Sequence, residues 1–147
     1  MNVDVIEARS EIEIYAAHMM VSAYVHTIDE ADSGILDTLV ENLETGRVTA
    51  VMTMINGFPA AIGLLMPASD GARELRCGFV HPDFRGHGAW SAVLDRRVAQ
   101  CRSEHVSARA VVPATDTRII HALRRRGFVL DGAETPSGHT IYSLPDT

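Results

Sequence analysis

Between residues 74 and 91 a strand, a glycine-rich loop and a helix follow one another, and this order constrains the fold more than any other segment. Residues 74–80 are largely apolar without helical spacing, which predicts a buried strand. Pro82 ends this strand because it cannot donate to a sheet ladder. Gly86 and Gly88 then precede an amphipathic helix. Free backbone N–H groups and the helix dipole attract anions at such a junction, so the segment predicts a phosphate-binding loop.

The sequence around the loop, Val-x-Pro-x-x-Arg-Gly-x-Gly followed by a helix, resembles the acetyl-CoA loop of the GNAT superfamily of N-acetyltransferases. In that family the loop reads Arg/Gln-x-x-Gly-x-Gly/Ala. Arg85 and Gly88 match this pattern, whereas Trp90 stands where the family has a small residue. In the pocket, its indole would crowd a pyrophosphate. The helical spacing of Trp90 instead favours a position in the core.

Length, charge and composition limit the classes of protein to consider. A chain of 147 residues predicts a single domain, residues 1–147, and the net charge of −6 argues against a nucleic-acid partner. No apolar run reaches the ~18 residues of a membrane span, and the acidic N-terminus is unlike a signal peptide. We therefore expect a cytoplasmic protein with no membrane partner. Cys77 and Cys101 lack metal-ligand spacing, so we expect buried free thiols and no metal site.

Hydrophobic periodicity predicts the element order β-α-α-β-β-β-α-β-α-β-β. The first helix starts with a capping box of Ser10 and Glu13. Its apolar stripe is Ile12, Tyr15, Ala16, Met19, Met20 and Ala23, and that of the second helix is Leu36, Leu39, Val40 and Leu43. The pair Asn56-Gly57 between two apolar runs predicts a β-hairpin. This order predicts an α/β (α+β) fold, with a mixed, mostly antiparallel sheet and helices on both faces.

The resemblance extends over almost the whole chain, because GNAT proteins share this element order. A second family landmark is an Asn cap, a helix with a tyrosine and a closing Gly-Phe. Gly127-Phe128 is present, whereas Asp116 replaces the asparagine and Leu123 replaces the tyrosine.

The resemblance implies acetyl-CoA as co-substrate, with its pyrophosphate on the loop amides. It also implies that the pantetheine arm pairs with a strand edge freed beyond a central bulge. The implied cofactor-binding residues are Phe79, Val80, His81, Arg85, Gly86, His87, Gly88, Ala89, Trp90 and Asp116.

Two candidate catalytic residues follow from the same resemblance. Glu74 lies where one branch of the family has a general base, and its neighbours Leu75 and Cys77 are apolar. Alternatively, Glu74 begins an exposed strand end between arginines, and His26 and His81 are the other candidate bases. Because leucine cannot replace the family's tyrosine as an acid, Tyr142 on the final strand is the candidate acid.

Two functions remain open at this stage. The first is an acetyl-CoA-dependent N-acetyltransferase acting on a small-molecule or peptide amine. The second is a catalytically silent module of the same fold, used for binding or as a structural subunit. Five carboxylates are expected around the acceptor entrance, where they would attract a cationic amine unless they are only solvated loop charges. These are Asp29, Glu30, Asp32, Asp131 and Glu134. A homodimer is compatible with the fold, although the sequence carries no signature of one.

Overall fold

The computed structural model describes residues 2–132 and 135–146, without the side chains of residues 31 and 32, and places seven strands in one sheet. The strands are β1 (Val3–Glu7), β2 (Thr49–Ile55), β3 (Phe58–Pro67), β4 (Arg73–Val80), β5 (Ala108–Pro113), β6 (Val129–Leu130) and β7 (His139–Leu144). The α-helices of the described chain are α1 (Glu11–Thr27), α2 (Leu39–Glu44), α3 (Ala89–Glu104) and α4 (Thr117–Arg125). The predicted element order and fold class are confirmed.

The sheet runs in the order β1-β2-β3-β4-β5-β7-β6, and every neighbouring pair is antiparallel except β4 and β5. The β4–β5 pairing covers only residues 73–75 and 108–110, although both strands continue beyond it. Further along β4, the register against β3 shifts between Ile62 and Leu64. Opposite this shift Cys77 has a φ of 56°, which marks a β-bulge. Beyond the bulge β4 and β5 diverge.

Helices cover both faces of the sheet. Helices α1 and α2 pack on one face over residues such as Met52, Ile62 and Leu64, while α3 and α4 pack on the other over Leu65 and Leu75. The predicted hairpin joins β2 to β3, with Asn56 and Gly57 both at positive φ. Such a pair of φ values is that of a type I′ turn, whose twist matches the flanking strands.

Helix α1 begins where the sequence predicts, but of the predicted buried stripe only Met20 is buried and Ala16 partly so. The Ser10–Glu13 capping box is present, with the Ser10 hydroxyl accepting from the Glu13 N–H at 3.2 Å. Ile12, Tyr15 and Met19 are nevertheless exposed, Ile12 by 81%. The buried face consists of Ile14, Ala17, Met20, Val21, Tyr24 and Val25. Because α1 is apolar on both faces, periodicity alone could not select the one that packs on the sheet.

The predicted second helix is shorter than its apolar pattern. A 3₁₀ helix, Glu30–Asp37, precedes the six-residue α2, in which Leu39 and Leu43 are buried and Val40 is exposed. Gly34, a poor helix former, lies within the 3₁₀ segment. Among the described helices, none has both the length and the apolar character that a membrane span requires.

Candidate active-site cleft

The divergence of β4 and β5 opens a cavity of about 590 Å³ between the end of β4, the start of α3 and one face of α4. Residues 78–80 of β4 form one wall. Residues 84–86 and 88–91, from the loop and the first turn of α3, form the second wall. Helix α4 contributes the third wall, and Ile28 after α1 closes one end. The predicted phosphate loop therefore lies directly beside the divergent strands.

The loop takes its shape from two glycines. Gly86 and Gly88 have φ values of 83° and 73°, a region that side chains disfavour. A Cβ at either position would meet nothing within 4 Å, so backbone conformation rather than crowding requires glycine here. Gly88 is the N-cap of α3, and no side chain caps this helix. The first-turn N–H groups of α3 lack intrahelical partners at the cavity wall, and free N–H groups of this kind attract anions.

Among the described residues, three arginines and one histidine line the cavity. Arg85 comes from the loop, and Arg118, His121 and Arg125 come from α4. Asp116 is the acidic lining residue in the described chain, and its carboxylate caps α4 by accepting from the Ile119 N–H at 3.3 Å. The cavity is therefore suited to a ligand with several phosphate charges.

The α4 contribution was missed from the sequence, although a signal for it exists. Arg118, His121 and Arg125 are spaced by three and four residues, so they lie on one helix face. Arg124 and Arg125 lie in the last turn of α4, where positive charges complement the helix dipole.

Most of the predicted cofactor-binding residues lie together on the cavity wall. These are Phe79, Val80, Arg85, Gly86, Gly88, Ala89, Trp90 and Asp116. His81 and His87 are not lining residues. The His81 N–H donates to the Ala60 carbonyl at 2.8 Å on the β3 side, and its Nδ1 accepts from the Asp83 N–H at 3.1 Å. His81 therefore does not contribute to the free edge of β4, which is a correction to the sequence prediction.

Trp90 lies both against the core and at the cavity wall. Its half-buried ring packs on apolar clusters beneath α3, and it also lines the cavity. A Cβ at Gly78 would lie 2.7 Å from the indole Nε1, so the ring occupies space left by a missing side chain on β4. Its helical spacing predicts that Trp90 lies in the core rather than in the pocket. The structure places it at both, because this position of α3 faces the core and the cavity.

Arg97 is a buried cation that lies two turns after Trp90 on the same face of α3. Its side chain is 2% exposed, and NH1 donates to the Leu64 carbonyl at 3.0 Å and the Arg76 carbonyl at 3.4 Å. Burial lowers the pKa of Arg97 to about 10, so the guanidinium stays protonated at neutral pH. A Cβ at Gly63 would lie 2.3 Å from its Cζ, which shows that a glycine on β3 makes room for it.

The structure does not bring Glu74 to the cavity. Its carboxylate lies 3.1 Å from Arg76 Nε and 3.8 Å from Arg109 NH1. Glu74 pairs with Arg109 across the short β4–β5 ladder, before the strands diverge. The general-base role of Glu74 stays a prediction, and the alternative of a strand-end carboxylate between arginines matches its contacts.

Tyr142 also lies away from the cavity. It is buried beneath α4, where Arg124 NH2 donates to its hydroxyl at 3.5 Å and Arg124 Cζ lies 5.7 Å from the ring centroid. Leu123, at the family's tyrosine position, is buried in the same cluster. Tyr142 therefore fills the core rather than facing the cleft.

A buried polar cluster links α1 to β7 near the cavity. Asp29 accepts from the Tyr24 hydroxyl at 3.1 Å, and its Oδ2 lies 2.6 Å from His139 Nε2. Ser137 Oγ lies 2.7 Å from His139 Nδ1. Ile28, adjacent to Asp29, lines the cavity. No spacing in the sequence indicates this cluster, because Asp29 and His139 are 110 residues apart.

The five carboxylates expected around an acceptor entrance do not share one environment. Asp29 is buried, so its prediction as an entrance charge is wrong. Glu30 and Asp131 are exposed, and Asp131 accepts from the Ser143 hydroxyl. Glu134 and the side chain of Asp32 lie outside the described residues. Across the described chain, no group of three His, Cys, Asp or Glu side chains is placed to hold a metal ion.

These features define a class of protein: a mixed sheet with helices on both faces and an arginine-lined cleft at the point where two parallel strands diverge. No family model matches the sequence, and no curated protein matches it either. Solved structures do. An N-acetyltransferase from Staphylococcus aureus Mu50 superposes with a TM-score of 0.81 at 16% identity, covering 100% of both chains. A GNAT-family acetyltransferase from the same organism gives a TM-score of 0.76 at 14% identity, covering 97% of this chain and 98% of the other.

A third similar structure is the PaiA N-acetyltransferase from Thermoplasma acidophilum in complex with coenzyme A. Its TM-score is 0.74 at 9% identity, and the superposition covers 99% of each chain. The protein therefore has the GNAT acetyltransferase fold.

Proposed function

We propose that the protein is an acetyl-CoA-dependent N-acetyltransferase that acts on an amine. The cleft carries this proposal, because one continuous cavity joins an anion-binding helix start, a basic helix face and a free strand edge. The fold similarity to acetyltransferases, one of them bound to coenzyme A, supports the same activity.

The lining residues fit the parts of acetyl-CoA. The first-turn amides of α3 and the side chains of Arg85, Arg118 and Arg125 suit its phosphates. The peptide groups of β4 beyond the bulge suit the amides of the pantetheine arm. His81 donates to β3 and N–H groups alternate along a strand, so the Val80 N–H faces the cleft. When bound, the co-substrate supplies an activated acetyl thioester, which an amine nitrogen attacks with loss of the thiolate.

The acceptor amine must be neutral when it attacks, and the described cavity lining has no carboxylate free to take the proton. Asp116, the acidic lining residue, is engaged in capping α4. We propose that the amine loses its proton to solvent before transfer, since Glu74 lies outside the cavity lining. A preference for cationic amines now rests on Glu30 and Asp131, since Asp29 is buried.

The rival function is a silent module that binds acetyl-CoA without turnover. The observation in its favour is that Leu123 is buried and both Glu74 and Tyr142 lie outside the cavity lining. A screen of polyamines, aminoglycosides, lysine peptides and neutral amines, with released CoA detected by a thiol reagent, separates the two. Turnover of an amine supports the enzyme, whereas acetyl-CoA binding without turnover in the whole screen supports the silent module.

Binding at the loop is tested by Gly88→Glu. This substitution puts a carboxylate where phosphate is expected and strains a position at φ 73°. We expect the Kd for acetyl-CoA, measured by calorimetry, to rise at least about 100-fold through charge repulsion at the helix start.

The matched control is Gly46→Glu. Gly46 also has a positive φ of 76° and open space around it, but it lies outside the cavity lining. The control should bind acetyl-CoA as the unmodified protein does. Equal affinities of the two variants, or no binding by the unmodified protein at millimolar acetyl-CoA, would contradict the proposed site.

A further inference from the structure

Two buried N–H donors on α3 have no hydrogen-bond acceptor in the described structure: Trp90 Nε1 and Arg97 Nε. Buried donors are nearly always paired, so each exception needs an explanation. The two residues are seven positions apart on α3, which places them on the same helix face. One helix face therefore carries both unpaired donors.

Both side chains converge on the backbone at Gly78. A Cβ at this residue would lie 2.7 Å from Trp90 Nε1 and 3.6 Å from Arg97 NH2. Trp90, Arg97 and Gly78 line a narrow gap of about 10 Å³ beneath β4, close to the volume of one water-sized group. Trp90 and Gly78 also line the large cavity, so the gap adjoins the proposed acetyl-CoA site.

The charge around this gap is positive. Arg97 forms no ion pair with a carboxylate in the described residues, although its side chain is almost completely buried. Its NH1 donates to the carbonyl of Arg76, the residue that precedes the positive-φ Cys77 of the bulge. Hydrogen-bond donors and a cation, with no competing acid, are complementary to an oxygen that carries or develops negative charge.

We propose that the Trp90 indole N–H, supported by the charge of the neighbouring Arg97 guanidinium, forms a donor site at the β4 bulge that receives the acyl carbonyl oxygen of a bound thioester. This inference rests on the proposed function. When an amine attacks the carbonyl carbon, the C=O π electrons move to the oxygen, which becomes an oxyanion facing the site. The nitrogen, which gained a positive charge on attack, releases one proton to solvent. The C–S bond then breaks with its electron pair on sulfur, and the C=O bond re-forms.

The two residues have different roles in this proposal. The Trp90 N–H donates directly to the oxygen and is the catalytic residue. Arg97 is a positioning residue that holds the bulge through the Arg76 carbonyl and adds its positive charge. The proposed hydrogen bond from Trp90 also gives a reason for glycine at position 78, because a side chain there would collide with the indole Nε1.

A pair of ligands tests this site without knowledge of the acceptor. Acetyl-CoA carries the thioester carbonyl, whereas S-ethyl-CoA is a thioether without it. The protein has one tryptophan, so the indole N–H gives a single assigned resonance in a ¹⁵N-labelled sample. We expect acetyl-CoA to move this resonance downfield more than S-ethyl-CoA does. We also expect acetyl-CoA to bind about fivefold more tightly, as one net hydrogen bond provides.

Trp90→Phe keeps an aromatic ring and removes the donor. It should bind both ligands equally, retain its affinity for S-ethyl-CoA and lose at least about tenfold in kcat, as loss of an oxyanion donor does. Arg97→Gln should lower kcat with little change in the KM for acetyl-CoA, and Arg97→Lys should recover part of the loss. Thermal unfolding checks that each variant is folded. If Arg97→Gln does not fold, the comparison of the two ligands on the unmodified protein tests the proposal.

The outcomes separate this inference from the proposed function. Equal affinity for the two ligands, or identical indole shifts, would overturn the donor site while coenzyme binding still supported the proposed function. Failure of both ligands to bind would overturn both.

Discussion

At the scale of the residue, the buried side chain of Arg97 requires a glycine at position 63. This glycine on β3 faces the guanidinium of Arg97, and a Cβ added to it would lie 2.3 Å from Arg97 Cζ. The Arg97 head group is held by the carbonyls of Leu64 and Arg76 and cannot withdraw without losing both hydrogen bonds. The glycine is needed for space rather than for a special backbone angle, because its φ is not positive.

We therefore expect Gly63→Ala to lower the free energy of unfolding by about 3 kcal/mol, through overpacking against a buried charged group. Urea unfolding measures the change. The matched control is Gly34→Ala, where a Cβ would meet nothing within 4 Å and φ is not positive. The control should change stability by less than about 1 kcal/mol. Equal stabilities of the two variants would show that Arg97 relocates without cost.

At the scale of the element, helix α4 provides the basic face of the cleft. Arg118, His121 and Arg125 line the cavity, whereas Arg126 turns away to Asp95 at 2.7 Å. Neighbouring arginines in one run therefore have different environments, and the helical period decides which of them can reach a ligand.

Arg118→Ala should weaken acetyl-CoA binding about three- to tenfold at low salt, because it removes one charge that faces the phosphates. The loss should shrink as salt is raised, since exposed charges are screened within ~10 Å at 0.1 M ionic strength. Calorimetry at two salt concentrations gives both quantities. The control, Arg102→Ala, removes an exposed arginine in the last turn of α3 and should leave the affinity unchanged. A loss that does not depend on salt would argue against a phosphate contact.

The elements themselves were largely predictable from the sequence, because capping boxes, turn residues and apolar spacing are local signals. The Ser10 cap and the Asn56-Gly57 turn illustrate this. The buried face of α1 was not predictable, since apolar residues occupy both faces. The loop glycines of the cleft were predictable because a glycine-rich turn between a strand and a helix is a local sequence signal. The spacing of the basic residues on α4 shows that they share a helix face, but the cavity that this face lines depends on tertiary packing. The Asp29–His139 contact also depends on tertiary packing, for which one sequence gives no direct signal.

At the scale of the whole molecule, the cluster of Asp29, Tyr24 and His139 connects the N-terminal half of the chain to its last strand. The Asp29 carboxylate accepts from groups on two different elements and is 6% exposed. Since Ile28 lines the cavity, the cluster also fixes one end of the cleft.

Asp29→Ala removes the acceptor of both contacts, so we expect the free energy of unfolding to fall by about 3 kcal/mol, since two buried polar groups lose this hydrogen-bond partner. Urea unfolding again provides the measurement. Asp131→Ala, which removes an exposed carboxylate bonded to Ser143, should cost less than about 1 kcal/mol. A loss at Asp29 no larger than that at Asp131 would mean that the cluster contributes little to stability.

The short β4–β5 ladder has a consequence for aggregation. Unpaired strand edges are surfaces on which other chains can add a strand, and proteins usually protect them. Here the free edge of β4 lies inside the sheet, with α3 and α4 lining the cavity in front of it. A twisted, side-chain-bearing strand from another molecule is too bulky to enter between these helices, whereas a thin, unbranched ligand arm is not. The protein thus keeps backbone groups available for a ligand without offering them to another copy of itself.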